Sequence, residues 1–159
     1  MIEIRAAIAA DVPVILRFVH ELAAFEREPD AVKATEPMLA AALFGAHPAA
    51  EAVIAEREGV AVGHAIFFHN FSTWEGKRGL YLEDLYVTPS ARGGGIGRAL
   101  LRHLARLAVE RDCARFEWSV LDWNEGAIAL YRTLGAKGLE DWTIQRLDGD
   151  ALRRLAEGV

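Results

Sequence analysis

The sequence predicts an α+β fold in which helices flank a mixed central β-sheet. Apolar residues alternate or run together over short stretches typical of strands, and in other stretches they recur at helical spacing. The predicted order is β-α-α-β-β-β-α-β-α-β, followed by a short C-terminal helix. A chain of 159 residues, 52% of them hydrophobic and 26% charged, can bury one core, so we expect a single domain over residues 1–159.

Turn and capping residues mark the elements of the first half. Asp11 is a suitable N-cap, Pro37 lies just inside a helix start and Gly45 just past its end, and Glu58-Gly59 is a hairpin signal. The predicted elements are a strand at 2–5, a helix from 11 to about 24, a helix from 35 to 45, and strands at 52–57 and 61–71.

The second half begins with a strand-like run, four glycines within five residues, and a helical pattern. Leu100, Leu101, Leu104 and Leu107 form the apolar stripe of that helix, and Gly135 is a typical residue just past the end of the next one. The predicted elements are a strand at 80–87, a helix from the glycines to about 112, a strand at 114–120, a helix at 124–134, a strand at 142–147 and a helix at 150–157.

Composition disfavours several classes of protein. The formal net charge of −5 argues against a general nucleic-acid binder, which would show a basic face. No run approaches the ~20 apolar residues of a membrane span, and Glu3 and Arg5 interrupt any signal peptide. The single cysteine, Cys113, fits a reducing compartment, and the histidines show no metal-ligand spacing. We expect a cytoplasmic protein that contains no metal and that binds neither nucleic acid nor membranes.

Residues 92–97, Arg-Gly-Gly-Gly-Ile-Gly, join a predicted strand to a predicted helix. Glycines let the backbone approach a ligand closely, and the helix N-terminus adds the positive end of its dipole, so the junction suits a phosphate or pyrophosphate. The dinucleotide pattern Gly-x-Gly-x-x-Gly fails because its third position falls on Arg98 or Leu100, and the nucleotide-triphosphate loop fails because no Gly-Lys-Ser/Thr follows. A glycine-rich turn without a ligand remains the alternative for the motif alone.

Two segments resemble one known family. Arg92-x-x-Gly95-x-Gly97 resembles the pyrophosphate loop of the GNAT N-acetyltransferases, and Asn124-x-x-Ala127-x-x-x-Tyr131 resembles a second segment of that family. The resemblance implies the GNAT acyl-CoA N-acyltransferase fold and acetyl-CoA as co-substrate. It further implies that backbone at Leu85 and Val87 pairs with the pantetheine arm, that Asn124 caps a helix and contacts the cofactor, and that the Tyr131 hydroxyl donates to the leaving sulfur. The implied cofactor-binding residues are Leu85, Tyr86, Val87, Arg92, Gly93, Gly94, Gly95, Ile96, Gly97, Arg98, Asn124, Ala127 and Tyr131.

Glu83 and Asp84 precede the glycine loop on the same predicted strand. Because side chains alternate along a strand, only one of them is expected to face a site. The segment Tyr81-Leu-Glu-Asp84 resembles the spermidine/spermine branch of the family, which implies Glu83 as the residue that contacts the amine and relays its proton. Residues 121–124 are closer to the thialysine acetyltransferases, and Phe25 stands where the spermidine enzymes often have Tyr. The implied substrate-binding residues are Phe25, Glu26, Trp74, Glu83, Asp84 and Trp118, an acidic and aromatic set suited to a slender cation.

These features together predict acetyl transfer from acetyl-CoA to a primary amine of a small cation, by direct attack in a ternary complex. Glu83 and Tyr131 are the predicted catalytic residues, and a polyamine, a diamine, thialysine or another lysine analogue is the predicted acceptor. Within the same class, the acceptor could instead be a protein N-terminus, a lysine side chain or an aminoglycoside. A CoA-binding sensor without catalysis is the alternative from another class, and the spacing disfavours a dinucleotide-dependent enzyme. The branch also implies a homodimer.

Overall fold

The structure, a computed structural model, describes residues 1–158. It divides into two compact units, one of residues Met1–Leu121 and one that begins at Asp122, and each is described by itself. The predicted domain of residues 1–159 also includes Val159, which lies outside the described residues.

Most predicted elements are present, with bounds that differ by a few residues. Two 3-10 turns, Ala9–Asp11 and Pro89–Ala91, precede α1 and the glycine loop. The strands are β1 Ile2–Ala6, β2 Glu51–Arg57, β3 Val60–Ser72, β4 Lys77–Val87 and β5 Phe116–Trp118; the helices are α1 Val12–Phe25, α2 Glu36–Phe44 and α3 Ile96–Glu110 in the first unit, and α4 Glu125–Thr133 and α5 Gly149–Glu157 in the second.

The five strands form one sheet in the order β1-β2-β3-β4-β5. The pairs from β1 to β4 are antiparallel, whereas β4 and β5 are parallel. The sheet is therefore mixed, and the predicted α+β class is confirmed. The predicted strand at 114–120 is shorter than expected, because only Phe116–Trp118 pairs with β4.

Alternate residues of the sheet supply two apolar layers. Ile54 and Ile66 belong to a cluster with Ile15 of α1 and Leu43 of α2. The neighbours of these strand residues, such as Phe67, point to the opposite face because side chains alternate along a strand. Helix α3 contacts β1, β3 and β4, and it contributes a buried apolar stripe of Leu100, Leu101, Leu104 and Ala108.

Asp11 is the N-cap residue of α1, as predicted, but its side chain makes no capping hydrogen bond with that helix. Its carboxylate accepts instead from both Arg5 guanidinium nitrogens, at 2.7 and 2.9 Å, and from the Ile8 amide. A charged bidentate partner is stronger than a neutral backbone amide, so the arginine directs the carboxylate away from the helix.

The predicted strand at 142–147 is wrong. Within the described part of the chain these residues pair with no strand, and the side chains of Trp142 and Ile144 are 72% and 74% exposed. A strand forms from such a sequence only if it pairs with a neighbouring strand and packs its apolar face against another layer of the protein. Neither condition is met here.

Candidate functional site

The glycine loop connects β4 to α3 and leaves its backbone accessible. Gly93 and Gly95 have φ angles of 79° and 78°, in the left-handed region that favours glycine. Gly95 is the N-cap of α3 and offers no capping side chain, and nothing lies within 4 Å of a Cβ placed on Gly93, Gly95 or Gly97. The first amides of a helix have no intrahelical partner and attract anions. This open cradle fits a pyrophosphate group.

One edge of β4 is open next to this loop. Pairing with β5 ends at Leu82, opposite Trp118, so among the described strands residues 84–87 pair with β3 alone. An open edge of this kind can take up an extended chain through main-chain hydrogen bonds. Arg92 Nε already donates to the Val87 carbonyl over 2.9 Å. The edge thus leads directly into the loop and fits the pantetheine pairing expected at Leu85 and Val87.

A register shift in β4 lies at the start of the open edge. Leu82 pairs with Phe67 and Asp84 pairs with Ile66, so Glu83 is an extra residue with no partner on β3. Ile66 packs against Ile15 of α1, which places Asp84 on the α1 face of the sheet. Glu83 also belongs to that face, because it follows Leu82, which pairs with Phe67 on the other face. The premise that Glu83 and Asp84 point to opposite faces is therefore wrong, because the bulge interrupts the alternation.

Three carboxylates come together at this bulge. Burial, the charge of Glu83 and the charge of Glu26 raise the pKa of Asp84 to about 6. Burial also raises the pKa of Glu26, which follows the last residue of α1. None of the described Lys or Arg residues forms a salt bridge with this acidic cluster of Glu26, Glu83 and Asp84. An uncompensated cluster favours a cation, and a carboxyl group with a pKa near neutrality is a suitable proton acceptor.

Arg92 links the loop to the end of α1. Its guanidinium lies over the rings of Phe25 and Tyr86, with distances to the ring centroids of 5.1 and 5.6 Å. The Tyr86 hydroxyl donates to Glu21 over 2.7 Å, and burial together with this bond raises the pKa of Tyr86 to about 12. Because the Tyr86 side chain is buried against Phe18, only its backbone remains for the predicted cofactor contact.

The two predicted tryptophans lie in different places. Trp118 pairs with Leu82, whose side chain lies on the face of the sheet opposite that of Asp84. Trp74 is in the β3–β4 turn and is 82% exposed. Lys77 and Glu83 are six residues apart on β4, which at a rise of ~3.3 Å per residue is about 20 Å. Within one chain, the structure therefore does not bring Trp74 together with Glu83.

The second unit contains the other motif residues. The Asn124 side chain accepts from the Ala127 amide over 3.3 Å, so its predicted capping role is confirmed. Gly135 has a φ of 87° just past the end of α4, and its amide donates to the Arg132 carbonyl, as predicted for a residue at this position. Tyr131 is half-buried on the last turn of α4. Its role remains a prediction.

Sequence reasoning missed two residues near the loop. Glu21 orients Tyr86, and Arg57 of β2 lies against Gly94. Both contacts join residues that are more than 30 positions apart, and no local pattern distinguishes either residue from other charged surface residues. The described residues contain no group of three or more His, Cys, Asp or Glu that could hold a metal ion. No helix among them has the length and apolarity of a membrane span.

Comparisons with known proteins agree with this geometry. Residues 16–136 match the model of the acetyltransferase (GNAT) family. A thialysine N-epsilon-acetyltransferase of Sus scrofa is 40% identical, covering 96% of each chain, and an L-ornithine N5-acetyltransferase of Arabidopsis thaliana is 30% identical, covering 96% of this chain and 86% of the relative. An integron cassette protein from the mobile metagenome of V. cholerae has a similar structure, with a TM-score of 0.81, 28% identity and 98% of each chain covered. The predicted fold and family resemblance are confirmed.

Proposed function

Because the chain belongs to the acetyltransferase (GNAT) family, we propose that it transfers an acetyl group from acetyl-CoA to a primary amine of a small cationic molecule. The observation that carries this proposal is the acidic cluster of Glu26, Glu83 and Asp84 beside an open strand edge and a glycine loop. The names of its relatives support amino acids with a side-chain amine, such as thialysine or ornithine, and the spermidine-type sequence of β4 keeps polyamines and diamines as candidates.

On the cofactor side, backbone groups carry most of the binding. The amides at the start of α3 and the left-handed Gly93 and Gly95 would hold the pyrophosphate, and the edge of β4 at Leu85 and Val87 would pair with the pantetheine arm. Backbone amides on that edge would polarise the thioester carbonyl, as in an oxyanion hole. Acetyl-CoA supplies the activated acetyl group, and no covalent acyl-enzyme is needed.

On the amine side, the acidic cluster binds the acceptor and removes its proton. A free alkyl ammonium has a pKa near ~10, and its charged form has no lone pair for attack. Glu83 is the proposed proton acceptor because it is the extra residue of the bulge and is exposed. Asp84 and Glu26, both half-buried, keep the local charge negative and attract the cation.

The leaving thiolate needs a proton, and Tyr131 is the proposed donor. A phenol with an ordinary pKa of ~10 stays protonated at neutral pH and can act as an acid toward a thiolate. The family match runs through residues 16–136 and so covers residues of both compact units. This supports a role for Tyr131 in the activity of the family.

We further propose that the protein acts as a homodimer and that Trp74 contributes to the amine site of the second subunit. The separation of Trp74 from Glu83 along β4 supports this, because the exposed indole lies too far from the acidic cluster of its own chain. Mixed dimers of Trp74→Ala and Glu83→Gln chains would test it. If Trp74 of one subunit completes the site of the other, each heterodimer has one site with both Trp74 and Glu83, and activity is restored. If Trp74 acts within its own chain, neither site has both residues, and no activity is restored.

The activity itself is tested by acetyl-CoA turnover, followed through release of free thiol. The acceptor panel is thialysine, lysine, ornithine, spermidine, putrescine and a short lysine-containing peptide. We expect release with one or more small cations and none with the peptide. Tight binding of acetyl-CoA without release for any acceptor would instead favour a sensor. We also place the protein in the cytoplasm, without a nucleic-acid, membrane or metal partner.

A further inference from the structure

Arg57 is the last residue of β2 and lies against the glycine loop. Its Nη2 atom is 2.6 Å, and its Cζ atom 3.8 Å, from the position that a Cβ on Gly94 would take. The guanidinium therefore occupies the space beside the middle of the loop. Arg57 itself is half-buried, and it comes immediately before the Glu58-Gly59 turn, in which both residues have positive φ.

Glycine at residue 94 leaves room for the guanidinium of Arg57. Gly93 and Gly95 need glycine because of their left-handed backbone, but Gly94 is not among the residues with positive φ. Its backbone would therefore accept another residue, but a Cβ at this position would require the end of the Arg57 side chain to move. Close approach of a neighbouring group is a second reason for glycine in a structure.

The charge of Arg57 is available to the loop. In the described part of the chain, Arg57 forms no hydrogen bond or ion pair, and the carboxylate of the preceding Glu56 is engaged by Arg5 at 2.6 and 2.9 Å. Arg92, the arginine of the loop motif, donates to the Val87 carbonyl and lies over Phe25. The guanidinium beside the middle of the loop is therefore that of Arg57.

The β2–β3 hairpin that carries Arg57 is fixed to the start of the loop. Ala55 pairs with Gly63 and Glu56 with Ala61, so Val62 is an extra residue in β3. The Val62 carbonyl accepts from the Thr88 amide over 2.9 Å, directly after the end of β4. The hairpin thus bonds to the start of the loop at Thr88 and places the Arg57 guanidinium beside Gly94.

We propose that Arg57 is a positioning residue for the pyrophosphate loop. It limits the conformations of a glycine-rich segment that would otherwise lose much backbone entropy on binding, and it adds a positive charge near the bound anion. The inference rests on the proposed function, since the anion is the pyrophosphate of acetyl-CoA. It concerns no atom that reacts, so the effect falls on cofactor binding and not on the chemical step.

The test compares Arg57→Ala with Arg106→Ala. Both variants lose one positive charge, but Arg106 is exposed on α3, ten residues beyond its first residue, which is about 15 Å along the helix. For Arg57→Ala, calorimetry should show about tenfold weaker binding of CoA and of 3′-dephospho-CoA, which keeps the pyrophosphate. The KM for acetyl-CoA should rise by a similar factor with kcat unchanged, and KM for S-acetylpantetheine, which lacks the pyrophosphate, should not change.

Several results would overturn the inference. Equal CoA binding by the two variants would show that Arg57 does not contribute to cofactor binding. Weaker binding of CoA by Arg57→Ala, with unchanged binding of 3′-dephospho-CoA, would show that Arg57 contacts the 3′-phosphate and not the pyrophosphate. An equal penalty with S-acetylpantetheine would indicate a general structural defect. Failure of the wild-type protein to bind CoA would instead contradict the proposed function. A double-mutant cycle adds an independent check, because Gly94→Ala should weaken CoA binding in the wild type and have little further effect once Arg57 is alanine.

Discussion

The two ends of β4 carry charged groups in opposite arrangements. At the end near the turn, Arg111 forms a bidentate pair with Glu51 at 2.6 and 2.9 Å and also contacts His69, and Lys77 pairs with Asp112 at 2.7 Å. At the loop end, the acidic cluster of Glu26, Glu83 and Asp84 takes part in none of the salt bridges among the described residues. The neutralised end stabilises the fold, whereas the uncompensated end is arranged for a ligand.

The largest expected effect is that of Glu83→Gln at the loop end. Removal of the proton acceptor should lower kcat by roughly 100-fold near neutral pH. The loss should shrink at high pH, where more of the amine is already deprotonated. Profiles of kcat against pH for Glu83→Gln and Asp84→Asn would test this. A larger loss in Asp84→Asn than in Glu83→Gln would transfer the role of proton acceptor to Asp84.

Tyr131→Phe should have a smaller effect. A thiolate is a moderately good leaving group, with a thiol pKa of ~8.5, so loss of its proton donor should lower kcat by about tenfold. Calorimetry should show acetyl-CoA affinity close to that of the wild type. Unchanged turnover would exclude the acid role, and a large loss of affinity would indicate that Tyr131 serves binding instead.

A buried histidine near the loop end makes the stability of the first unit sensitive to acid. His64 is fully buried with no hydrogen-bond partner for either ring nitrogen, and burial lowers its pKa from 6.5 to about 3. Between these two values the unfolded chain binds a proton that the folded chain does not. The free energy of unfolding should therefore fall as the pH drops below 6.5, by about 2 kcal/mol at pH 5.

His64→Leu tests this assignment because leucine has a similar volume and no titratable group. Urea unfolding at pH 7 and pH 5 should show a smaller acid-induced loss in the variant, by the amount given above. The sign follows from the lowered pKa, since the penalty is absent above 6.5 and grows as the pH falls. Equal losses in both proteins would assign the acid sensitivity to other groups.

The smallest effect belongs to the neutralised end of β4. Glu51→Gln should lower the free energy of unfolding by about 1 kcal/mol, because the pair is partly exposed and screened by solvent. Pairing with Arg111 lowers the pKa of Glu51, so this contribution is present above the ordinary carboxyl pKa and is lost as the pH falls. Acetyl transfer should not change. A loss of activity without a loss of stability would contradict the division between the two ends.

The spacing of apolar residues, together with capping and turn residues, predicted the helices and strands that depend on local sequence. The stripe of α3, the cap at Asn124 and the αL residue Gly135 are each specified by residues within one or two turns. The glycine loop was predictable for the same reason, since its glycines and the start of α3 are contiguous.

Features that depend on partners distant in the sequence were not predictable. The bulge at Glu83 is defined by the register against β3, and the contact of Arg57 with Gly94 joins two hairpins. Asp11 is the N-cap residue that its local context predicts, but its carboxylate pairs with Arg5 and not with the helix amides. Residues 142–147 have the composition of a strand without a partner edge. In each case the local structure depends on a residue that is distant in the sequence, and the local sequence pattern carries no information about that residue.

The bulge also implies that deletion of one codon could remove the proposed proton acceptor and leave the sheet intact. Leu82 and Asp84 pair with adjacent residues of β3. A chain lacking Glu83 could therefore keep all the residue pairs between β3 and β4 in register. The proposed proton acceptor is thus an insertion into a hairpin that would be regular without it. A one-codon deletion should give a folded protein that has lost its activity, and the reverse change would add a reactive group to an inert hairpin without rebuilding the sheet around it.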